Sequence, residues 1–172
     1  ASASSITIST QRLDVELQEL PELSVLVDLE QQCQQAIACD PAWLDNLWNK
    51  CTLAWVEKAL DLRKKNQHPT PVEVGLQVVT LSNTISLVGL PFEVFAQTAK
   101  GIKESFNRPD TVVVCGYFDG LVGYLPPEED QVQGGYEATE AFKVYGYPSP
   151  FALGSEALIR RKAEELIRRS RR

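Results

Sequence analysis

Hydrophobic and polar positions alternate at the start of the chain and then change period. In SITISTQRLDVELQEL apolar side chains recur at every second position, a spacing typical of half-buried β-structure, which we interpret as a strand pair. From Ser24 the apolar positions follow a helical spacing, and Pro41 opens a second helix that has Asp40 as its N-cap. The first third of the chain therefore predicts β-structure followed by two packed helices.

The rest of the chain alternates strand and helix patterns. Two apolar runs, VEVGLQVVTLS and TISLVGLP, are joined around Ser82 and Asn83 and predict a β-hairpin. A helix is predicted over residues 92–106, a buried strand in TVVVCGY, a short helix over residues 136–146, and a terminal helix. This order predicts an α/β fold of mixed type, in which helices flank a mixed sheet and residues 1–172 form a single domain or half-domain.

Composition narrows the classes of protein to which the chain can belong. Apolar residues make up 44% and charged residues 23% of the chain, which is a globular balance. The net charge of -6 argues against a nucleic-acid partner, because binding phosphates needs a basic surface. We interpret the basic segment IRRKAEELIRRSRR as a packed terminal helix with a solvated basic face. No stretch reaches the roughly 20 apolar residues of a membrane span, so no transmembrane segment is expected.

The four cysteines show no paired spacing and are expected to be small buried thiols. Free thiols favour a reducing, cytoplasmic compartment over secretion.

Two predicted strand ends carry candidate functional side chains. Glu93 follows the strand that ends at Pro91, and Tyr124 closes the glycine-rich turn after TVVVC. Taken singly, neither is specific. A glutamate in the first turn of a helix is favoured by the helix dipole, and a tyrosine in a loop commonly packs its ring and hydrogen-bonds its hydroxyl.

Read together, the segments GLPFEVF, GYFDGLVGY and GGYEATEAFKVYG are more informative. Their order and spacing, over roughly residues 70 to 150, resemble the C-terminal part of the catalytic domain of the neutral/alkaline non-lysosomal ceramidase family. Members of that family hydrolyse the amide bond of ceramide with one zinc ion, which is held by two histidines, a glutamate and a tyrosine. The chain resembles the short bacterial form, which lacks a C-terminal immunoglobulin-like domain.

The resemblance implies a role for three residues. Glu93 and Tyr124 correspond to the metal-binding glutamate and tyrosine, and Tyr136, twelve residues after Tyr124, corresponds to the catalytic tyrosine that steadies the substrate carbonyl. Such a zinc ion lowers the pKa of its bound water to about 7, and a phenol donates a hydrogen bond to the developing negative charge. The implied substrate is a small lipid-like amide.

The chain departs from the family pattern at two positions and in its histidines. Phe92 stands where the family has a glycine, and a bulky ring beside Glu93 would narrow or reshape the pocket; Asp119 replaces an asparagine. The chain has one histidine, His68, in the turn NQHPTP, where we expect a solvated side chain. The two histidine ligands must then come from outside this chain. With no methionine and an ASASS start, we expect a processed C-terminal half whose partner is the N-terminal half of the same precursor.

Two other interpretations remain open. The chain could be a relative that has lost catalysis and acts as a lipid-binding, glycan-binding or interaction module. Alternatively, the resemblance could be accidental, and the chain an independent α/β domain with an acidic, tyrosine-rich binding loop.

Overall fold

A computed structural model describes residues 5–39 and 46–172 of the protein. The predicted N-cap Asp40 and the helix-opening Pro41 lie outside the described residues. In chain order the elements are β1 (Ile6–Val15), α1 (Leu23–Cys39), α2 (Leu47–Lys64), β2 (Val72–Leu81), β3 (Ile85–Gly89), β4 (Glu93–Val94), α3 (Ala96–Glu104), β5 (Val112–Cys115), β6 (Tyr124–Leu125), α4 (Glu128–Gln133), α5 (Ala141–Val144) and α6 (Ser155–Ser170). A 3-10 turn at Pro109–Thr111 precedes β5, and a π-helical turn at Tyr136–Glu140 precedes α5.

Four strands form one mixed sheet, in the order β1-β2-β3-β5. β1 pairs antiparallel with β2, and β2 pairs antiparallel with β3 across the predicted hairpin. β3 and β5 are parallel neighbours connected through α3. A separate parallel pair, β4 and β6, lies in the loops that follow β3 and β5. The predicted α/β fold with a mixed sheet and flanking helices is confirmed.

Helices α3 and α6 pack against one face of the sheet and form the main core. Alternate residues of the strands point into this core, as the two-residue period requires. The fully buried members with the largest side chains include Phe92, Leu76, Leu90, Ile102, Ile159 and Leu166. The apolar stripe of α6 thus packs inward as predicted, and its arginines lie on the outer side or at its end.

The opposite face of the sheet is open, and the part of it next to the β2–β3 turn is apolar, whereas Arg12 and Glu73 form an ion pair farther along the same face. Ile6 and Ile8 of β1 are 70% and 63% exposed, and Leu81, Ile85 and Val113 on the neighbouring strands are also exposed. The strand register places these side chains next to one another on one surface. Among the residues that the structure describes, no helix covers this face.

A helical hairpin of α1 and α2 forms a second, smaller core. Leu26 of α1 packs with Trp55, Val56 and Leu60 of α2. Trp55 also donates its indole N–H to the carbonyl of Pro148 at 2.8 Å, which joins the hairpin to the C-terminal part of the chain.

Three local predictions are wrong. The predicted strand pair at the start is one strand, because residues 6–15 pair without interruption with β2; Leu17 forms only an isolated bridge with Phe151. The helix predicted over residues 92–106 begins at Ala96, because Glu93 is paired as a strand residue. The thiols are all free, but only Cys33 is buried and Cys39 is exposed.

None of the described helices combines the length and the hydropathy needed to cross a membrane.

Candidate functional site

The carboxyl ends of β3 and β5 lie side by side, and this edge of the sheet carries the predicted site residues. Gly89 of β3 pairs with Cys115 of β5. The loops that leave these strands then run in parallel, with Glu93 of β4 opposite Tyr124 of β6. Functional side chains of α/β proteins commonly gather at such strand ends, since the strands are rigid and the loops are exposed.

Backbone hydrogen bonds fix the two loops to each other. The amides of Tyr117 and Val122 donate to the carbonyls of Phe92 and Pro91 at 3.0 and 2.8 Å. In return, the amide of Glu93 donates to a carbonyl of the second loop at 2.9 Å. The backbone of Glu93 is therefore held in place independently of its side chain.

Two residues of the second loop have left-handed backbone conformations without being glycine. The φ angles of Tyr117 and Asp119 are 55° and 57°. Asp and Asn tolerate this region well, so the aspartate at position 119 preserves the turn that an asparagine would form. A bulky tyrosine in this region is rarer and is strained. In this conformation the Tyr117 side chain points back towards Glu93, and its hydroxyl donates a hydrogen bond to the Glu93 carboxylate.

The Glu93 carboxylate accepts hydrogen bonds from two phenols and lies beside a third, that of Tyr124. Tyr117 donates to Oε2 at 2.6 Å, and Tyr145 donates to Oε1. The phenol of Tyr124 lies close enough to the same carboxylate for each group to shift the pKa of the other. In the described part of the chain, no lysine or arginine forms an ion pair with Glu93. Neutral hydrogen-bond donors therefore stabilise the negative charge of Glu93.

These contacts set the protonation of the cluster. Burial raises the pKa of Glu93, but the hydrogen bonds from the phenols outweigh it, so the pKa lies below its ordinary value of 4.5. The neighbouring Glu93 carboxylate, with burial, raises the pKa of Tyr124 to about 12. Burial and then the same carboxylate raise the pKa of Tyr145. At neutral pH the site therefore holds one carboxylate ion surrounded by protonated phenols.

A row of aromatic rings extends from the carboxylate across the surface. Phe95 meets Tyr124 edge to face at 6.5 Å between centroids, Tyr124 meets Tyr136 at 6.2 Å, and Tyr136 meets Trp48 of α2 at 6.1 Å. Tyr136 is 48% exposed. The row combines apolar ring faces with phenol hydroxyls, so it can pack against an apolar chain and donate hydrogen bonds to a polar group.

Gly123 allows Tyr145 to reach the site. Its φ of 118° suits glycine, and a Cβ at this position would lie 3.2 Å from Cδ2 of Tyr145. Any other residue would displace the Tyr145 ring, which is a hydrogen-bond donor to Glu93.

The structure brings together the three predicted site residues, Glu93, Tyr124 and Tyr136, in one connected cluster. The expectation about Phe92 is wrong, because its ring is fully buried in the main core against Phe151, 5.7 Å between centroids, and cannot narrow a pocket beside Glu93. His68 is exposed, as expected, and its nearest charged partner is Glu19 at 3.4 Å.

Sequence analysis missed two of the phenols that bind Glu93. Tyr117 lies in the segment GYFDGLVGY, but the residue type gives no sign of the left-handed backbone conformation that directs its side chain towards Glu93. Tyr145 follows the helical stretch 136–146 and is 52 residues from Glu93, so only the tertiary fold reveals the contact. The glycine at position 123 is the one local signal, since it marks a close approach.

The donor set of the cluster can form part of a metal site. Among the described residues no group of three or more His, Cys, Asp or Glu side chains could hold a metal ion. Glu93 and Tyr124 are facing residues of β4 and β6 and offer one carboxylate and one phenol oxygen, and a cation bound by both would displace the phenol proton. A zinc ion usually takes four ligands, so these two donors can bind it only together with further ligands from outside the cluster.

Comparison of the chain with protein-family models, with curated proteins and with solved structures finds no match in any of the three. The functional interpretation therefore depends on the chemistry of this cluster and on the spacing of its residues.

Proposed function

We propose that this chain is the C-terminal part of a zinc-dependent amidohydrolase, resembling neutral ceramidase, that cleaves an N-acyl, ceramide-like amide. One observation carries the proposal. Glu93, Tyr124 and Tyr136, which the resemblance to that family singled out from the sequence, lie in one cluster at the carboxyl end of two parallel strands. A chance similarity of spacing gives no reason for the three side chains to meet.

Glu93 and Tyr124 would hold the zinc ion through one carboxylate and one phenol oxygen, with two histidines from another chain. When bound, zinc lowers the pKa of a water molecule to about 7 and polarises a carbonyl oxygen. The carboxylate of Glu93 is already ionised at neutral pH, whereas Tyr124, with a pKa of about 12, must release its proton. Metal binding is therefore expected to release a proton and to weaken as the pH falls.

Tyr136 is suited to the substrate carbonyl. Its ring contacts that of Tyr124 and its side chain is accessible to a ligand. A phenol placed beside the reacting carbonyl donates a hydrogen bond that strengthens as negative charge develops on the oxygen. The row from Phe95 to Trp48 offers ring faces for the acyl chain of the substrate.

The open sheet face supports a partner chain, which we propose to be the N-terminal half of the same precursor. Soluble proteins rarely leave a contiguous apolar surface of this kind exposed. The face continues to the site, since the ring of Phe118 packs over Gly89 at the end of β3 and the neighbouring Tyr117 is bonded to Glu93. A chain that covered this face would reach the edge of the sheet where the missing ligands are needed.

The test uses the protein purified from its native source with any polypeptide that accompanies it. Zinc content and hydrolysis of a short-chain N-acyl sphingosine are measured for the wild type and for Glu93→Gln. We expect the variant to lose most of its zinc and about 100-fold or more of its activity, because an amide is a poor zinc ligand. Tyr147→Phe is the matched control, since Tyr147 packs on Phe151 and does not contact Glu93.

Zinc and activity that persist in Glu93→Gln would refute the assignment. Lipid or glycan binding without hydrolysis by the wild type would favour the interpretation as an inactive binding module. A stable monomer that needs no other chain and contains no zinc would favour the independent domain.

A further inference from the structure

A second polar site lies at the opposite end of the parallel strands, near the start of β3 and β5. It is a groove of about 330 Å³ between the hairpin turn, the end of α3 and the end of α6. None of the described residues that line it is acidic. Its polar lining includes Arg108, Arg168, Arg171, Asn83, Thr84 and Asn107. A cationic groove is unusual in a protein whose net charge is -6.

Two of the arginines have no acidic partner. In the described part of the chain, neither Arg168 nor Arg171 forms an ion pair with a carboxylate. The acids of α6 are used elsewhere, because Glu156 and Glu164 pair with Arg160 and Glu165 pairs with Lys162. Arg108 differs from these two, as its guanidinium binds Asp110 at 2.7 Å.

Neutral acceptors fix both guanidinium groups at the groove. Arg171 donates from Nε to Ser86 Oγ at 2.9 Å and from Nη2 to the Thr111 carbonyl at 2.9 Å. Arg168 donates from Nη2 to the Ser105 carbonyl at 3.0 Å. In each case at least one nitrogen, Nη1, makes no hydrogen bond within the described residues.

Both guanidinium groups also adjoin one ring. Their central carbons lie 4.6 Å (Arg168) and 5.1 Å (Arg171) from the centroid of Phe106. Two like charges held at one ring repel each other, and burial lowers the pKa of Arg171 because its charge is partly removed from water. A bound anion would offset the repulsion between the two guanidinium groups and would stabilise the partly desolvated charge of Arg171.

We propose that this groove is a binding site for a phosphate group, held by Arg168 and Arg171. A guanidinium presents paired N–H groups that match two oxygens of a phosphate, and pre-positioned arginines bind with little further ordering. The amide and hydroxyl groups of Asn83, Thr84 and Asn107 can donate to the remaining oxygens. The site is separate from the Glu93 cluster, and it stands whether or not the proposed amidase function is correct.

The probe is inorganic phosphate, titrated calorimetrically into the purified chain at low ionic strength. We expect saturable binding of one phosphate that weakens about tenfold in Arg168→Gln, because a charge-assisted hydrogen bond is lost. Arg161→Gln is the matched control: it makes the same charge change on an exposed face of α6 outside the groove. Arg168→Gln is preferred to a change at Arg171, whose bonds to Ser86 and Thr111 help to hold the end of α6.

Absent saturable binding, or equal weakening by Arg161→Gln and Arg168→Gln, would overturn the proposal. Vesicles of phosphatidylcholine with and without phosphatidate then identify the source of the phosphate. Sedimentation of the wild type with phosphatidate vesicles, reduced in Arg168→Gln and inhibited by inorganic phosphate, indicates a lipid headgroup. Phosphate binding without vesicle binding supports the same site with a soluble ligand.

Discussion

At the scale of single residues, Glu93 is a carboxylate whose charge is stabilised by neutral phenols. Tyr117 and Tyr145 donate hydrogen bonds to it, and these bonds lower its pKa despite burial. The same contacts raise the pKa values of the phenols, since the carboxylate disfavours a second negative charge. The cluster is therefore ready to exchange a proton for a cation or to donate to a carbonyl oxygen.

Removing the carboxylate should release Tyr124. In Glu93→Gln the pKa of Tyr124 is expected to fall from about 12 toward the ordinary value of 10, because the main cause of the raised pKa is the neighbouring Glu93 carboxylate. Tyrosine ring resonances of ¹³C-labelled protein, followed from pH 8 upward, measure this change. Tyr147 is an internal control, because burial alone raises its pKa and the substitution should leave it unchanged. An unaltered Tyr124 titration would show that the carboxylate does not control the cluster.

At the scale of elements, the periodicity of the sequence predicted the strands and helices that form the core but not the contacts between loops. Apolar alternation identified β2 and β3, and helical spacing identified α6, because each pattern reflects burial of one face. Periodicity did not predict the strand pair β4 and β6. Its pairing depends on a hydrogen bond from the Glu93 amide to the carbonyl of Gly123, which lies 30 residues later in the chain.

The site itself was predicted in part. Glu93, Tyr124 and Tyr136 were found because they lie in segments with recognisable spacing at strand ends. Tyr145 was not found, because its approach to Glu93 depends on the π-helical turn, on α5 and on the space left by Gly123.

The packing of Phe118 over β3 is expected to be essential for the loop. A Cβ on Gly89 would lie 2.3 Å from the Phe118 ring, so Gly89→Ala must displace the ring and the segment that carries Tyr117. We expect it to lower the free energy of unfolding by about 1 to 3 kcal/mol, measured by urea denaturation. Gly75→Ala, on the adjoining strand of the same sheet, meets no atom within 4 Å and should change stability little. Equal effects of the two substitutions would contradict this packing.

At the scale of the whole molecule, two chemically different sites lie at opposite ends of a pair of parallel strands. The carboxyl end holds the Glu93 cluster and the other end holds the arginine groove. One face of the sheet is packed against α3 and α6, and the other is exposed and is apolar next to the β2–β3 turn. In our account this open face binds the chain that completes the metal site.

A charge on the open face should prevent that association. Ile8 is 63% exposed, so Ile8→Asp should change the unfolding free energy of the isolated chain by no more than about 0.5 kcal/mol. We expect the variant to bind the partner at least about tenfold more weakly, measured by sedimentation velocity, because it buries an unpaired carboxylate. Val132→Asp, on exposed α4, is the control for an added charge elsewhere. Association that tolerates Ile8→Asp would rule out this face as the interface.

The most direct test of the central claim is mass spectrometry of the protein purified from its source. Native mass spectrometry measures the bound metal, and denaturing mass spectrometry identifies the polypeptides that are present. Our account predicts a second, histidine-containing polypeptide and about one zinc ion per complex, with the zinc lost in Glu93→Gln. A single species that consists of this chain alone and carries no zinc would contradict it.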